Sequence, residues 1–235
     1  MKLSVCMATY NGSEFVLRQL NSVIKQLGDN DEIIVVDDKS SDNTVTLIKE
    51  AYGHKVKVFI NENNMGAIKS FEKAIKLATG DIIFLCDQDD IWEDYKVSLV
   101  VEAFQKGNAA VVVHDAYVVD GQLNIIDHSW NDYNQNKKKG ILGNIIKNSF
   151  TGACMAFKKD LVPYFIPFPN SIEMHDQWIA LVAMLEKKKV AYIDQPLMKY
   201  VRHGNNVTGV KKRSIRHMIK GRMGTIASVL GYKRN

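Results

Sequence analysis

Ile82-Ile83-Phe84-Leu85-Cys86-Asp87-Gln88-Asp89-Asp90 is the stretch that decides the fold. Five apolar residues in a row read as a strand buried on both faces, and the three carboxylates that follow stand at its carboxyl end. Just upstream, Ile68, Phe71, Ile75 and Ala78 recur at helical spacing and stop at Thr79-Gly80, so a helix precedes this strand. Further back lie a strand at Lys55 to Ile60 and a turn at Asn63-Asn64-Met65-Gly66. Glu32 to Val36 is another apolar run, followed by Asp37-Asp38-Lys39-Ser40, cap chemistry at Ser41-Asp42-Asn43 and a helix from Thr44 to Tyr52. At the start, Lys2 to Thr9 reads as a buried strand, and Ser13 to Leu27 places Val16, Leu20, Val23, Ile24 and Leu27 on one helical face. Strands alternating with helices predict an α/β fold with a mostly parallel sheet flanked by helices, whose ligands sit at the carboxyl ends of its strands.

Beyond residue 100 the alternation loosens into a contiguous α+β half. Strands are expected at Ala109 to Val119 and Thr151 to Phe157, with a polar stretch at 131–139 between them. Pro163, Pro167 and Pro169 break the chain ahead of a helix at Gln177 to Leu185, and short strands follow near Val190 to Ile193 and Leu197 to Val201. With no internal repeat and no low-complexity linker, the 235 residues read as one continuous domain in two parts.

Cys6, Cys86 and Cys154 are odd in number and lie in apolar runs, which points to free thiols in a reducing compartment. No stretch reaches the roughly 18 apolar residues of a membrane span, and the N-terminus lacks a signal-peptide pattern. A cytoplasmic location, which includes the inner face of the cell membrane, is expected. The net charge of +5 is unevenly spread: residues 195–235 hold ten Lys or Arg and no acid, leaving 21 basic against 26 acidic residues before them. From Lys211 to Asn235 eight basic residues alternate with Ile215, Met218, Ile219, Met223, Ile226, Val229 and Leu230, the pattern of a basic amphipathic helix. Such a helix suits peripheral contact with an anionic membrane surface, or equally a solvated or subunit-contacting role.

Carboxylates about 4 Å apart repel by roughly 1 to 4 kcal/mol at surface-like dielectrics, so Asp87, Asp89 and Asp90 call for a cation or a proton. Mg²⁺ or Mn²⁺ suits such oxygen ligands together with a diphosphate. The spacing alone also fits a solvated turn in which Asp90 caps the following helix. In a parallel sheet, Asp37 and Asp38 lie beside Ala8-Thr9-Tyr10-Asn11 around one crevice, where a carboxylate can accept from a base or ribose, or simply form a turn.

Taken together, these motifs resemble the inverting glycosyltransferases of family 2, which have the GT-A fold. The resemblance rests on Val5 to Asn11, Val35 to Asp42, Asn63 to Gly66 and Gly80 to Asp90, and more loosely on His175-Asp176-Gln177-Trp178 and Tyr200 to Asn206. The Cys-Asp-Gln-Asp-Asp-Ile-Trp form of the acidic motif is most similar to bacterial rhamnosyltransferases and capsule or O-antigen enzymes. The resemblance implies residues 1–100 as the nucleotide-sugar-binding half, 101–210 as the acceptor-binding and catalytic-base half, and 211–235 as a C-terminal helix. It implies that Thr9, Tyr10 and Asp37 hold the nucleoside, with Asp38 near the ribose and Asn64 and Lys69 toward the base or phosphates. Asp87 and Asp89 match the metal and diphosphate motif, and His203 a further metal or phosphate ligand, with Arg202 beside it on a phosphate-facing loop. Asp176 stands at the catalytic-base position, preceded by His175 where Glu is more frequent.

The implied reaction is transfer of a sugar, L-rhamnose by preference, from a UDP- or dTDP-sugar to a glycan or lipid-linked acceptor. Asp176 would take the acceptor proton and a cation would neutralise the leaving diphosphate. Trp92, Trp130 and Trp178 either stack on sugar rings or fill the core, and packing is the simpler expectation. A sugar nucleotidyltransferase would show a Gly-rich basic loop after the first strand, and a haloacid dehalogenase phosphatase would continue its motif differently from Ile91-Trp92. A processive synthase would carry Gln-x-x-Arg-Trp and membrane helices. A non-catalytic nucleotide-binding module stays open; the basic tail lacks the aromatic platform of single-strand binders, so no nucleic acid partner is expected.

Overall fold

The computed structural model describes residues 1–136, 140–203 and 215–233. The first half runs β1 (Leu3–Thr9), α1 (Val16–Ile24), β2 (Glu32–Asp37), α2 (Thr44–Tyr52), β3 (Val56–Ile60), α3 (Ala67–Leu77) and β4 (Ile82–Asp87). Strands β3, β2, β1 and β4 lie side by side and parallel, as the strand and helix alternation predicts. Register pairs Thr9 with Asp37 and Ala8 with Asp87, so the three motif ends lie within one residue of each other along the carboxyl edge. The continuous apolar runs of β1, β2 and β4 are buried because helices cover both faces of the sheet. In α1, Val16, Leu20 and Val23 enter the core, as their 3.6-residue spacing requires.

The second half contributes β5 (Ile91–Trp92), α4 (Lys96–Gly107), β6 (Val111–Val119), β7 (Ile125–Asp127), α5 (Trp130–Tyr133) and α6 (Ile141–Ile146). It continues with β8 (Met155–Lys158), α7 (Val162–Phe165), α8 (His175–Leu185), β9 (Val190–Val201) and α9 (Ile215–Gly231). Antiparallel pairing of β8 with both β4 and β6 carries the sheet on, in the order β3-β2-β1-β4-β8-β6-β9-β5, with β7 beside β6. The result is one mixed sheet running through both halves.

Three expected elements differ. The strand expected at Thr151 to Phe157 starts as a 3-10 turn at Gly152–Cys154, because Thr151 is held by the Trp130 indole, and only Met155–Lys158 pairs. The two short strands after residue 190 are a single strand, β9. Its register against β6 jumps from Ile193 opposite His114 to Pro196 opposite Asp115, so Asp194 and Gln195 form a bulge ahead of a proline that has no N–H for the ladder. The helix expected from Gln177 begins two residues earlier, at His175, which places Asp176 in its first turn.

The C-terminal helix α9 forms, and it docks with its small residues inward. Gly224 packs against the Ser171 carbonyl, Thr225 is buried, and the Ser171 and Ser228 hydroxyls share a hydrogen bond of 2.8 Å. The Tyr232 hydroxyl donates to Glu186 at 2.9 Å. Met223 (64 % exposed), Ile226 (41 %) and Leu230 (82 %) point outward, so this stripe is not the packing face. Lys211 to Ser214, and the loop residues Gly204, Asn205 and Asn206, lie outside the described residues. No helix among the described residues is long and apolar enough to cross a membrane.

A buried carboxylate ties the edges of the first three strands together. Glu32 accepts from the Ser4 hydroxyl, from the amide and hydroxyl of Thr79 (2.7 Å each), and from Lys57 at 2.7 Å. Burial alone would raise its pKa, but the Lys57, Ser4 and Thr79 hydrogen bonds win and lower it to about 2. The folded state therefore gains stability from ionised Glu32 above the unfolded value near 4.5, and loses it as pH falls toward 2. Glu32→Gln should lower the urea midpoint at pH 7, with the gap from wild type closing between pH 4.5 and 2.

Candidate active site

Asp37 and Asp38 leave β2 in opposite directions, and both are consumed in building the crevice. Asp37 is fully buried; it accepts from Thr9 Oγ1 at 2.8 Å and from the Ser40 amide and hydroxyl at 2.8 and 2.6 Å. Asp38 accepts from Asn61 Nδ2 at 2.9 Å and from the amides of Met65 and Gly66 at 2.8 and 2.7 Å. This clamps the turn before α3, where Gly66 takes φ +83°, a conformation that glycine adopts without strain. Tyr10 and Asn64 are exposed at the crevice rim, Tyr10 being 48 % accessible. Lys69 pairs with Glu72 on its own helix at 2.9 Å. Thr9, Tyr10, Asp37 and Asp38 thus gather as expected, while Asn64 and Lys69 stand at the outer edge of the group.

Gln88 couples this crevice to the acidic motif. Its side-chain amide accepts from the Tyr10 N–H at 2.9 Å and donates to the Tyr10 carbonyl at 3.1 Å, completing the backbone pairing beyond the end of β4. Gly12 leaves the room, since a Cβ there would lie 2.2 Å from Gln88 Oε1.

Asp90 is neither a helix cap nor solvated. It is buried, accepts from the Val201 amide at 3.1 Å, and its other oxygen has no hydrogen-bond partner. That bond fixes the end of β9, and two residues later His203 Nε2 meets Asp89 Oδ2 at 2.8 Å. Two residues of α1 and its approach support the pair: Phe15 stacks on the His203 ring at 4.3 Å, and Arg18 donates to the Asp89 carbonyl at 3.0 Å. Arg202 turns away, its guanidinium over the Tyr133 ring at 5.6 Å and within 3.4 Å of the Tyr133 hydroxyl.

Asp87 and Asp176 face one cavity of about 400 Å³, whose walls also include His175, Trp130, Asn148 and Tyr200. Asp176 accepts from the Gln177 amide at 2.6 Å and from Asn148 at 3.1 Å. Burial raises its pKa to about 6 against the pull of these hydrogen bonds. Asp87 rises to about 7, through burial first and then the negative charges of Asp89 and Asp176. His175, stacked on Phe71 at 4.3 Å, is held neutral by burial, its pKa lowered to about 4. All three tryptophans are buried, and Trp130 stacks on Tyr200 at 4.4 Å, so packing is their main role.

Asp89 with His203 offers an oxygen and a nitrogen to a divalent ion, with Asp87 as a neighbouring carboxylate; this donor chemistry fits Mg²⁺ or Mn²⁺. No group of three such side chains stands preassembled among the described residues.

Against this geometry, the comparisons with known proteins are direct. Residues 4–164 match the model of glycosyl transferase family 2. The chain belongs to glycosyl transferase family 2. Among the relatives of this family 2 chain, the dTDP-rhamnosyl transferase RfbG of Shigella flexneri is 29% identical over 220 residues, covering 86% of this chain and 73% of that protein. The glucosyltransferase WfgD of Escherichia coli, whose acceptor is a diphosphoundecaprenol-linked GlcNAc, is 31% identical over 118 residues, 50% of this chain and 47% of WfgD. A Nostoc glycosyltransferase is 34% identical over 132 residues, and the match spans 41% of its length, so this chain spans less than half of several relatives. The structure of Staphylococcus aureus TarS with UDP-GlcNAc superposes with a TM-score of 0.76 at 20% identity, covering all of this chain and 68% of that one. This agreement shows the GT-A-like fold, with a mixed sheet flanked by helices.

Several site residues were not evident from sequence. Lys96 is buried, lies 4.1 Å over the Trp92 ring and donates to the Ala153 carbonyl at 2.8 Å. Burial first lowers its pKa to about 8, against the raising charges of Asp90 and Asp87. Glu173 and Arg222 also border the cavity, the latter from α9. Lys96→Met strips the acidic motif of its buried cation and leaves the Ala153 carbonyl without its donor. It should destabilise the fold by roughly 3 kcal/mol in urea denaturation, with partial recovery in the Lys96→Met, Asp90→Asn double variant.

Proposed function

We propose that this chain is a metal-dependent inverting glycosyltransferase. It would move a sugar from a UDP- or dTDP-sugar to a glycan or lipid-linked acceptor in the synthesis of a bacterial surface polysaccharide. The observation that carries the reading is the placement of Asp176, with a raised pKa, across one cavity from Asp87 at the end of β4. A base matched to near-neutral pH stands opposite the acidic motif of the family fold.

In this reading, Thr9, Tyr10, Asp37 and Asp38 form the nucleoside crevice, and Gln88 holds it in register with the acidic motif. Asp89 and His203, with Asp87 beside them, would hold Mn²⁺ or Mg²⁺, which when bound supplies charge neutralisation for the leaving diphosphate. Asp176 removes the acceptor hydroxyl proton as that oxygen attacks the anomeric carbon from the face opposite the leaving group, and the configuration inverts. Asn148 and the Gln177 amide aim the carboxylate. L-Rhamnose is the preferred donor sugar, supported by the RfbG relationship, which spans most of this chain.

A screen of nucleotide sugars by thermal shift and turnover, with and without Mn²⁺ or Mg²⁺, tests the donor and the metal. Turnover should vanish with EDTA and return with the cation; full turnover in EDTA removes the metal from the reading. Asp176→Asn should cut kcat by at least about 100-fold with donor KM little changed. Because the pKa of Asp176 is raised to about 6, the base is ionised above that pH, and wild-type kcat/KM should fall about tenfold per pH unit below it. The outward stripe of Met223, Ile226 and Leu230 on the basic tail supports peripheral contact with an anionic bilayer. Co-sedimentation with phosphatidylglycerol liposomes should drop on Met223→Ser, Leu230→Ser; unchanged binding refutes this contact.

A further inference from the structure

The cavity shared by Asp87 and Asp176 has one side that the proposed chemistry leaves unused. Its walls there are Ile145, Ile146 and Lys147 at the end of α6 and Arg222 from α9, two helices that pack against each other. Asp176 is 2 % exposed and Ile146 64 %, so the cavity runs from a dry floor at the carboxylate to a mouth at these helices. Arg222 is half-buried beside that mouth. Among the described residues its guanidinium has no hydrogen-bond or ion-pair partner. The neighbouring cation is already committed, since Lys147 donates to the Asn134 and Gln135 carbonyls at 2.6 and 3.2 Å.

A guanidinium drawn partly out of water without an acceptor is unfavourable, and the planar fork of its donors matches the paired oxygens of a phosphate. Asp87, Asp176 and Glu173 border the same cavity and repel an anion from the rest of it, which confines a phosphate to the Arg222 end. Outside the mouth the surface is apolar. On α6, Leu142 is 77 % exposed one turn before Ile146, and on α9 Met223, Ile226 and Leu230 form the outward stripe. By helical spacing Arg222 stands on the border of that stripe, one turn before Ile226 and between it and the buried Thr225. From inside to outside the order is therefore a carboxylate, an uncommitted cation and an apolar rim.

We propose that Arg222 recognises the acceptor by binding the phosphate of a lipid-linked saccharide. The sugar enters the cavity toward Asp176, and the apolar chain lies over Leu142, Ile146 and the α9 stripe. The proposal rests on the glycosyltransferase reading for the sugar, and narrows the acceptor to a saccharide carried on a lipid phosphate. A free glycan would leave both the guanidinium and the apolar rim without a function. In the same reading the donor diphosphate is held at Asp89 and His203, neither of which lines this cavity.

Isothermal titration calorimetry on the full chain, in EDTA and without nucleotide, tests it. The probes are farnesyl diphosphate, inorganic pyrophosphate, and octyl β-D-glucopyranoside below its micellar concentration. Farnesyl diphosphate should bind at least roughly tenfold more tightly than either of the others, because it alone engages both the cation and the rim. Arg222→Gln should weaken its binding by roughly tenfold and leave the glucoside unchanged, while Arg222→Lys, which keeps the charge without the fork, should recover part of the loss. Ile146→Ser, on the exposed rim, should weaken farnesyl diphosphate and the glucoside but not pyrophosphate, and it carries the test if the Arg222 variants do not fold. Added UDP should leave farnesyl diphosphate bound. Three results would overturn the proposal: pyrophosphate binding as tightly as farnesyl diphosphate, binding indifferent to Arg222→Gln and Ile146→Ser, or displacement by UDP, which would place the phosphate in the nucleotide crevice. Because donor and metal are absent, a failed turnover screen does not alter this outcome. Conversely, loss of the phosphate contact leaves the transferase reading to its own experiments.

Discussion

The hydrogen bond from the Val201 amide to the buried Asp90 carboxylate is the constraint on which the site depends. It joins the end of β9, from the second half of the chain, to the acidic turn after β4, from the first. With the β5–β9 pairing, Ile91 opposite Lys199, and the Phe15 stack, it brings His203 onto Asp89, 114 residues away in sequence. The bond is made where three carboxylates crowd together, and a buried carboxylate in such company tends toward its protonated form. Lys96 is the counterweight. Its ammonium, withdrawn from water over the Trp92 ring, supplies positive charge behind the motif. Neither residue needs to touch substrate. Together they let a cluster of like charges persist in a folded protein and still present Asp87 and Asp89 forward.

A similar economy governs the crevice at the carboxyl edge of the sheet. Asp37 and Asp38 spend their oxygens on Thr9, Ser40, Asn61 and the Met65-Gly66 amides, so much of their work is to shape the loops at the carboxyl edge. Gln88 then copies a strand partner for Tyr10 and locks those loops to the acidic turn. The crevice and the acidic motif are thereby joined directly through Gln88. On the far side, α8 sets Asp176 in a hydrogen-bonded, dry wall, and α9 closes that side through Thr225 and Tyr232.

Much of this was readable in the chain itself. The parallel strands β1, β2 and β4 announce themselves by unbroken apolar runs, since a strand covered on both faces has no polar side to alternate. Because ligands collect at the carboxyl ends of such strands, Thr9, Asp37, Asp87 and Asp89 were legible as a group from local pattern alone. The helical stripe of α1 was equally plain.

What the residues determine without help is therefore whatever depends on near neighbours in sequence: the periodicity of each element, the turn chemistry and the local motif at each strand end. The tertiary structure alone decided the rest, because burial and partner choice are properties of surfaces brought together. It buried the Lys96 ammonium over the Trp92 ring, made Asp90 a brace instead of a cap, and merged two strands into β9 with a bulge at Asp194 and Gln195. It also docked α9 through its glycines, Thr225, Ser228 and Val229, leaving Met223, Ile226 and Leu230 outside. A helix pattern reports that one face differs from another, whereas which face packs depends on how closely the neighbouring backbone approaches. Here Ser171 and Glu173 lie so near that only Gly221 and Gly224 fit.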